Sequence, residues 1–162
     1  MSVLMGVLCV LAFTFVGIGI SSRLSAHVQL CKGGIQLCEA MERELHFSKR
    51  SFQDVLLREV SYDPLKISLE HFFALRPEER TEVRVRECCA NLCASEEECA
   101  LLIRFFLGLG RSDSAAQLLF LAEMKEEFRV LFERAEGKRA RYAPLCVRLG
   151  FLVGSGAMVL LI

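Results

Sequence analysis

The sequence predicts an all-α membrane protein, a helical bundle held between an N-terminal and a C-terminal transmembrane helix. Three observations predict it. Residues 2–20 carry no charge and number about the 20 needed to cross a bilayer as a helix. Further on, Leu121, Met124, Phe128, Leu131 and Ala135 recur at alternating three- and four-residue steps, which marks one apolar helix face. Lastly, the one strand-like alternation in the chain has no second candidate to pair with. The 53% hydrophobic content of the 162 residues is above the usual globular share, and much of the excess sits at the two ends.

At the N-terminus a secretory signal peptide fits poorly. No Lys or Arg precedes the apolar run, and the small residues Ser25 and Ala26 follow a charged Arg23. Cys9 lies inside the run without the small residues that lead into a lipoprotein cysteine. The segment is therefore expected to stay attached as a first span. At the C-terminus the run from 149 to 162 is uncharged but short. It reaches spanning length by starting near Tyr142, with the Arg148 guanidinium snorkelling to the interface. Arg23 and Lys32 follow the first span, and Lys138, Arg139, Arg141 and Arg148 gather before or at the second, so the middle faces the cytoplasm. The expected division is a transmembrane helix at 2–20, a cytoplasmic helical domain at 21–141 and a transmembrane helix at 142–162.

Within the middle, residues 21–28 continue the first helix and Gly33-Gly34 reads as an interruption or bend. Helix resumes over 35–47 with Leu37, Cys38, Ala40, Met41 and Leu45 as its apolar stripe. After a break at 48–51, Phe52, Val55, Leu56 and Val60 mark another helix. It ends before Asp63-Pro64, where Asp caps and Pro fits a first helical turn. Residues 64–74 form a short helix burying Leu65, Leu69, Phe72 and Phe73. In 78–93 Val83 and Val85 alternate with Arg84 and Arg86 like a strand. A proline-led acidic start and the Ser95/Glu98 capping box that follows make it a helix instead. Helices over 96–108 and 113–141 complete the domain, the last able to run on into the membrane with Pro144 accommodated as a kink.

The corner from Leu107 to Gln117 organises this domain. Gly108 and Gly110 weaken helix, and Gly110 suits the left-handed conformation at a helix end. Ser112, Asp113 or Ser114 can accept bonds from the first amides of the next helix, and Ser114 with Gln117 fits a capping box. Gly108, Gly110, Arg111, Ser112, Asp113 and Gln117 are the candidate turn residues. In the second span Gly150 and Gly154 stand four apart with Gly156 close by, the spacing that lets two membrane helices approach closely. These three are the candidate helix-packing residues.

No catalytic, cofactor-binding or metal-binding residue is expected. Cys88, Cys89, Cys93 and Cys99 lack paired C-x-x-C spacing and a flanking histidine set, so buried free thiols are the simpler reading. A membrane-associated metal or redox protein using the Cys88 to Cys99 cluster is the rival, as is a generic two-span scaffold. His27, His46 and His71 are isolated from one another. The net charge of +0 gives no footprint for nucleic acid. Gly108-Leu109-Gly110 lacks the Lys-Ser/Thr of a phosphate-binding loop, and no small-molecule substrate is implied.

Several features keep a characteristic order and spacing: Gly17 and Gly19 in the first span, Glu44-Leu45-His46-Phe47, and the corner Leu109-Gly110-Arg111-Ser112-Asp113 with Gln117. Leu149-Gly150 with Gly154 and a run of aliphatic residues closes the set. Together they resemble the stage III sporulation protein AB family of endospore-forming bacteria over nearly the whole chain. The resemblance implies a multi-pass protein of the mother cell's outer forespore membrane. There it would belong to the channel-like complex linking mother cell and forespore. Its middle would be similar to type II secretion F domains. Its partners would be a secretion-type ATPase, stage III sporulation protein AA, other membrane subunits and membrane lipid. The cysteine count, Gly33-Gly34 and Arg50-Ser51-Phe52 depart from the family's usual pattern.

Overall fold

The computed structural model describes the backbone of residues 2–47, 59–90, 92–93, 95–109 and 113–161; within these, the side chains of 2–6, 9, 46–47, 157–158 and 160–161 are not described. Every regular element among the described residues is helical. In order they are α1 (Ser2–Phe47), α2 (Asp63–Ala74), a 3₁₀ turn (Pro77–Glu79), α3 (Glu82–Cys89), α4 (Glu96–Gly108) and α5 (Ser114–Leu161). They form two compact units, one from Met1–Val28 with Glu133–Ile162 and the other from Gln29–Phe132.

The Gln29–Phe132 unit has the core. Leu37, Met41, Leu65, Leu69, Phe72, Phe105, Phe106 and Leu121 are fully buried in it. The rings interlock: Phe72 stacks on Phe106 at 5.1 Å between centroids, and Phe105 meets Phe128 edge-on at 5.8 Å. Leu121, Met124 and Phe128 lie inward, as their periodicity predicts, and Leu131 is half-buried at the margin. Ion pairs tie the elements at the surface. Lys125 on α5 reaches Glu39 at 3.3 Å and Glu42 at 3.2 Å on α1. Arg86 on α3 meets Glu96 on α4 at 2.8 Å, and Arg104 on α4 pairs with Glu127 on α5. Exposed pairs of this kind contribute at most about 1 kcal/mol each, so the ring cluster carries the stability.

Several sequence expectations change. Gly33-Gly34 is no bend, because α1 runs through it without a break. The pair is there for space: a Cβ on Gly33 would lie 2.9 Å from Leu65 Cδ2, and one on Gly34 2.7 Å from the Phe128 ring. At α2 the capping position falls on Tyr62, whose side chain makes no cap bond, and Asp63 is the first helical residue beside Pro64. The 78–93 stretch is helical but shorter, a 3₁₀ turn followed by α3. Val85 is buried and Val83 is 68% exposed, as residues two apart on a helix must be. Ser95 does cap α4, accepting from the Glu98 amide at 3.2 Å. The helix expected over 52–60, with the break before it, lies outside the described residues except at its end, where Val60 is buried.

α5 runs on past Arg141 through Pro144 to Leu161, the continuation that the sequence allowed. Pro144 removes the amide that the Ala140 carbonyl would otherwise accept from. Among the described residues one helix is long and apolar enough to cross a membrane, over Val10–Leu45 of α1.

Candidate functional site

The helices on either side of the expected corner end at Gly108 and begin at Ser114. α4 ends at Gly108, and the Leu109 amide donates back to the Phe106 carbonyl at 3.3 Å with Leu109 itself extended. Gly108 is required by contact, since a Cβ there would collide with the Phe120 ring. Gly110, Arg111 and Ser112 lie outside the described residues. Asp113 precedes α5, and its carbonyl accepts from the Gln117 amide at 2.8 Å. Ser114 is already the first helical residue, so the capping position falls on Asp113 rather than on Ser114. Gln117 is buried.

The second candidate site is the helix pair of the other unit. A Cβ on Gly150 would lie 2.6 Å from the Phe13 carbonyl oxygen, one on Gly154 2.7 Å from the Val10 Cα, and one on Gly17 2.6 Å from the Cys146 carbonyl oxygen. Each is a backbone atom that cannot turn aside. Along α1 the contacts run Val10, Phe13, Gly17, while along α5 they run Gly154, Gly150, Cys146, so the helices are antiparallel. Gly156 is different, with open space where its Cβ would be. Sequence reasoning named Gly150 and Gly154 from their spacing. It missed Gly17 as a packing residue, because Gly17 and Gly19 stand two apart on different faces and no four-residue spacing marks either one.

Register follows from these contacts. Tyr142, four residues before Cys146, is level with Ser21, four after Gly17. Arg141 and Arg23 come within about one residue of the same level, and both are exposed. Beyond that level Arg148 is the one charged side chain on the two helices, and Leu11, Phe15, Val16 and Ile18 on α1, with Leu149, Phe151, Leu152 and Val153 on α5, are exposed. The hydroxyls in this stretch are satisfied within their own helices, Thr14 donating to the Val10 carbonyl at 2.7 Å and Ser155 to Phe151 at 2.9 Å.

The cysteines offer no comparable chemistry. Cys31, Cys38, Cys89 and Cys99 are buried. Burial pushes the thiols of Cys31, Cys38 and Cys89 up to about 12. Cys93 is raised as well, by burial and then by Cys99 beside it. A neutral thiol is a poor nucleophile and a poor metal ligand. No three His, Cys, Asp or Glu side chains converge as a metal site among the described residues.

No curated protein and no solved structure matches the chain. The family model described as stage III sporulation protein AB matches residues 2–162. A match over that whole span means that the chain belongs to the stage III sporulation protein AB family, with a role in sporulation.

Proposed function

We propose that the chain is a non-enzymatic membrane platform component of the sporulation channel complex between mother cell and forespore. Residues 2–20 and 142–162 form a paired span in the mother cell's outer forespore membrane. Residues 21–141 form the cytoplasmic part, similar to type II secretion F domains. That part works with a secretion-type ATPase, stage III sporulation protein AA, and with other membrane subunits.

The observation that carries this reading is the backbone-to-backbone contact of the antiparallel pair. Small residues that let helices touch along their backbones are how membrane helices associate, because lipid tails supply no hydrophobic drive between them. The register supports a second span. The segment from Tyr142 onward runs level with residues below Ser21, so a bilayer crossed by the first helix is crossed by its neighbour. The exposed apolar side chains of both helices need a cover that water does not give, and lipid gives it. The basic residues at the shared edge favour a cytoplasmic middle.

The test is affinity purification of the full-length chain from sporulating cells in mild detergent. The expected result is co-elution of the ATPase with other sporulation membrane subunits. Recovery of the chain in the membrane fraction with neither would overturn the platform role.

A further inference from the structure

We infer that α5 carries a stripe that binds the phosphate headgroups of anionic phospholipids, built from Lys138, Arg141 and Arg148. The inference rests on the paired-span reading above. α5 is one unbroken helix over this stretch, so each residue turns about 100° from the last. Its contact face toward α1 is fixed by Cys146, Gly150 and Gly154. Arg148 stands two residues from both Cys146 and Gly150, roughly 200° from each, and so projects from the opposite side. Arg141, seven residues earlier, lies about 20° from the same line, and Lys138, ten residues earlier, about 80° from it, so the three share one side of the helix. All three are exposed, and Leu145 between them is 45% exposed.

This ladder descends from the charged edge into the apolar run. Arg141 stands at the edge, level with Arg23, and Arg148 lies about 10 Å deeper at 1.5 Å per residue. Cα–Cβ bonds tilt toward a helix's N-terminus, which for α5 is toward the edge. Both side chains therefore reach toward the edge, which carries the Arg148 guanidinium up toward the headgroup layer along its flexible stem. A guanidinium matches a phosphate with two parallel hydrogen bonds.

Nothing in the helix pair competes for these cations. Residues 137–162 contain no Asp or Glu, and neither do residues 1–38. The two carboxylates of this unit, Glu133 and Glu136, both come before the stripe, more than two turns of helix from Arg141 for Glu133 and more than one for Glu136. A carboxylate on a neighbouring membrane helix could meet one arginine, but a ladder of three cations crossing the edge suits the layer of headgroup phosphates. Clusters of this kind beside a span attract anionic lipid.

The chain contains no tryptophan, so Leu145→Trp places a single reporter within the stripe. The full-length variant is reconstituted in phosphatidylcholine vesicles containing either brominated phosphatidylglycerol or brominated phosphatidylcholine at equal mole fraction. The bromine of whichever lipid lies against the indole quenches its fluorescence. The expected result is stronger quenching by phosphatidylglycerol, weakening as salt rises. Adding Arg148→Gln should lower that preference by a factor on the order of five, the value of one basic residue at an anionic surface. Arg139→Gln removes the same charge from the side of the helix opposite Arg148, half a turn away, and should leave the preference in place, and Arg148→Lys should keep most of it. Equal quenching by the two lipids would overturn the headgroup site while leaving the span in the bilayer. An equal loss in Arg139→Gln and Arg148→Gln would overturn the stripe in favour of diffuse charge. No quenching by either lipid would overturn the paired-span reading itself, and the site with it.

Discussion

Three glycines on helices separate two effects that usually arrive together. Replacing a helical glycine with alanine relieves backbone entropy and stabilises by about 0.5–1 kcal/mol, but the new methyl needs room. At Gly137 nothing lies within 4 Å, so Gly137→Ala should stabilise by that full amount. At Gly33 the methyl would meet Leu65 Cδ2 at 2.9 Å, with Tyr62 Cβ at an ordinary 3.6 Å. One branch of a leucine can yield at a cost similar to the gain, so Gly33→Ala should come out near zero. At Gly34 three atoms of the Phe128 ring lie at 2.7–2.9 Å. That ring is 2% exposed and held edge-on by Phe105, so it has nowhere to go. Overpacking of this kind costs roughly 1–3 kcal/mol. Less the helix gain, Gly34→Ala should destabilise the core by about 1–2 kcal/mol, a factor of roughly 5–30 in the open population. Amide hydrogen exchange of α4, followed by mass spectrometry on the full chain in detergent, reads that factor as faster exchange at Leu102 to Phe106. Exchange that is slower in Gly34→Ala than in the parent would refute the assignment of this glycine to a close contact.

Gly154→Leu should split the helix pair, since the Val10 backbone blocks the side chain, yet leave membrane insertion intact; Gly156→Leu faces open space and should leave pairing unchanged. Cross-linking yield between cysteines introduced at Thr14 and Val147, whose Cα atoms line the Gly150 and Gly17 contacts, separates the two, and equal yields would refute the contact face. Ser95→Ala removes the acceptor of the Glu98 amide and should cost about 1 kcal/mol, seen as faster exchange in the first turn of α4, with Ser95→Asp retaining protection. Cys31, Cys38 and Cys89 should label slowly at pH 8 in the folded chain. Because burial moves their ionisation from 9.0 to about 12, the unfolded chain loses those protons first. Stability should then hold below pH 9 and fall as the pH rises toward 12, and rapid labelling at pH 8 would contradict the burial.

Much of the fold could be read from apolar spacing, because Leu121, Met124 and Phe128 are buried by the same periodicity that marks them. Ser95 was legible for a similar reason, its bond to Glu98 being local. Gly33 and Gly34 were not legible. A glycine pair breaks a helix or lets a ring approach, the two differ by only about 1 kcal/mol per residue of intrinsic preference, and the deciding atoms belong to Leu65 and Phe128, far along the chain. The same limit applied to the helix pair. The spacing of Gly150 and Gly154 announced a contact face, but its opposite number, Gly17 with Phe13 and Val10, is set by a register that no local pattern encodes. Asp63 misled because a good capping residue stood one place too late, with Tyr62 at the boundary.

The pairing of Gly17 with Cys146, and of Gly154 with Val10, also sets a timetable for biogenesis. A ribosome adding about 5–20 residues each second needs roughly 7–30 s to travel from the first member of such a contact to the last. Under the proposed paired-span reading, the N-terminal helix spends that interval with its glycine notch unfilled. Any other small-residue helix inserted nearby can occupy the notch first. Expression rate and the order in which neighbouring membrane proteins are made therefore become determinants of correct assembly, alongside the amino acids themselves.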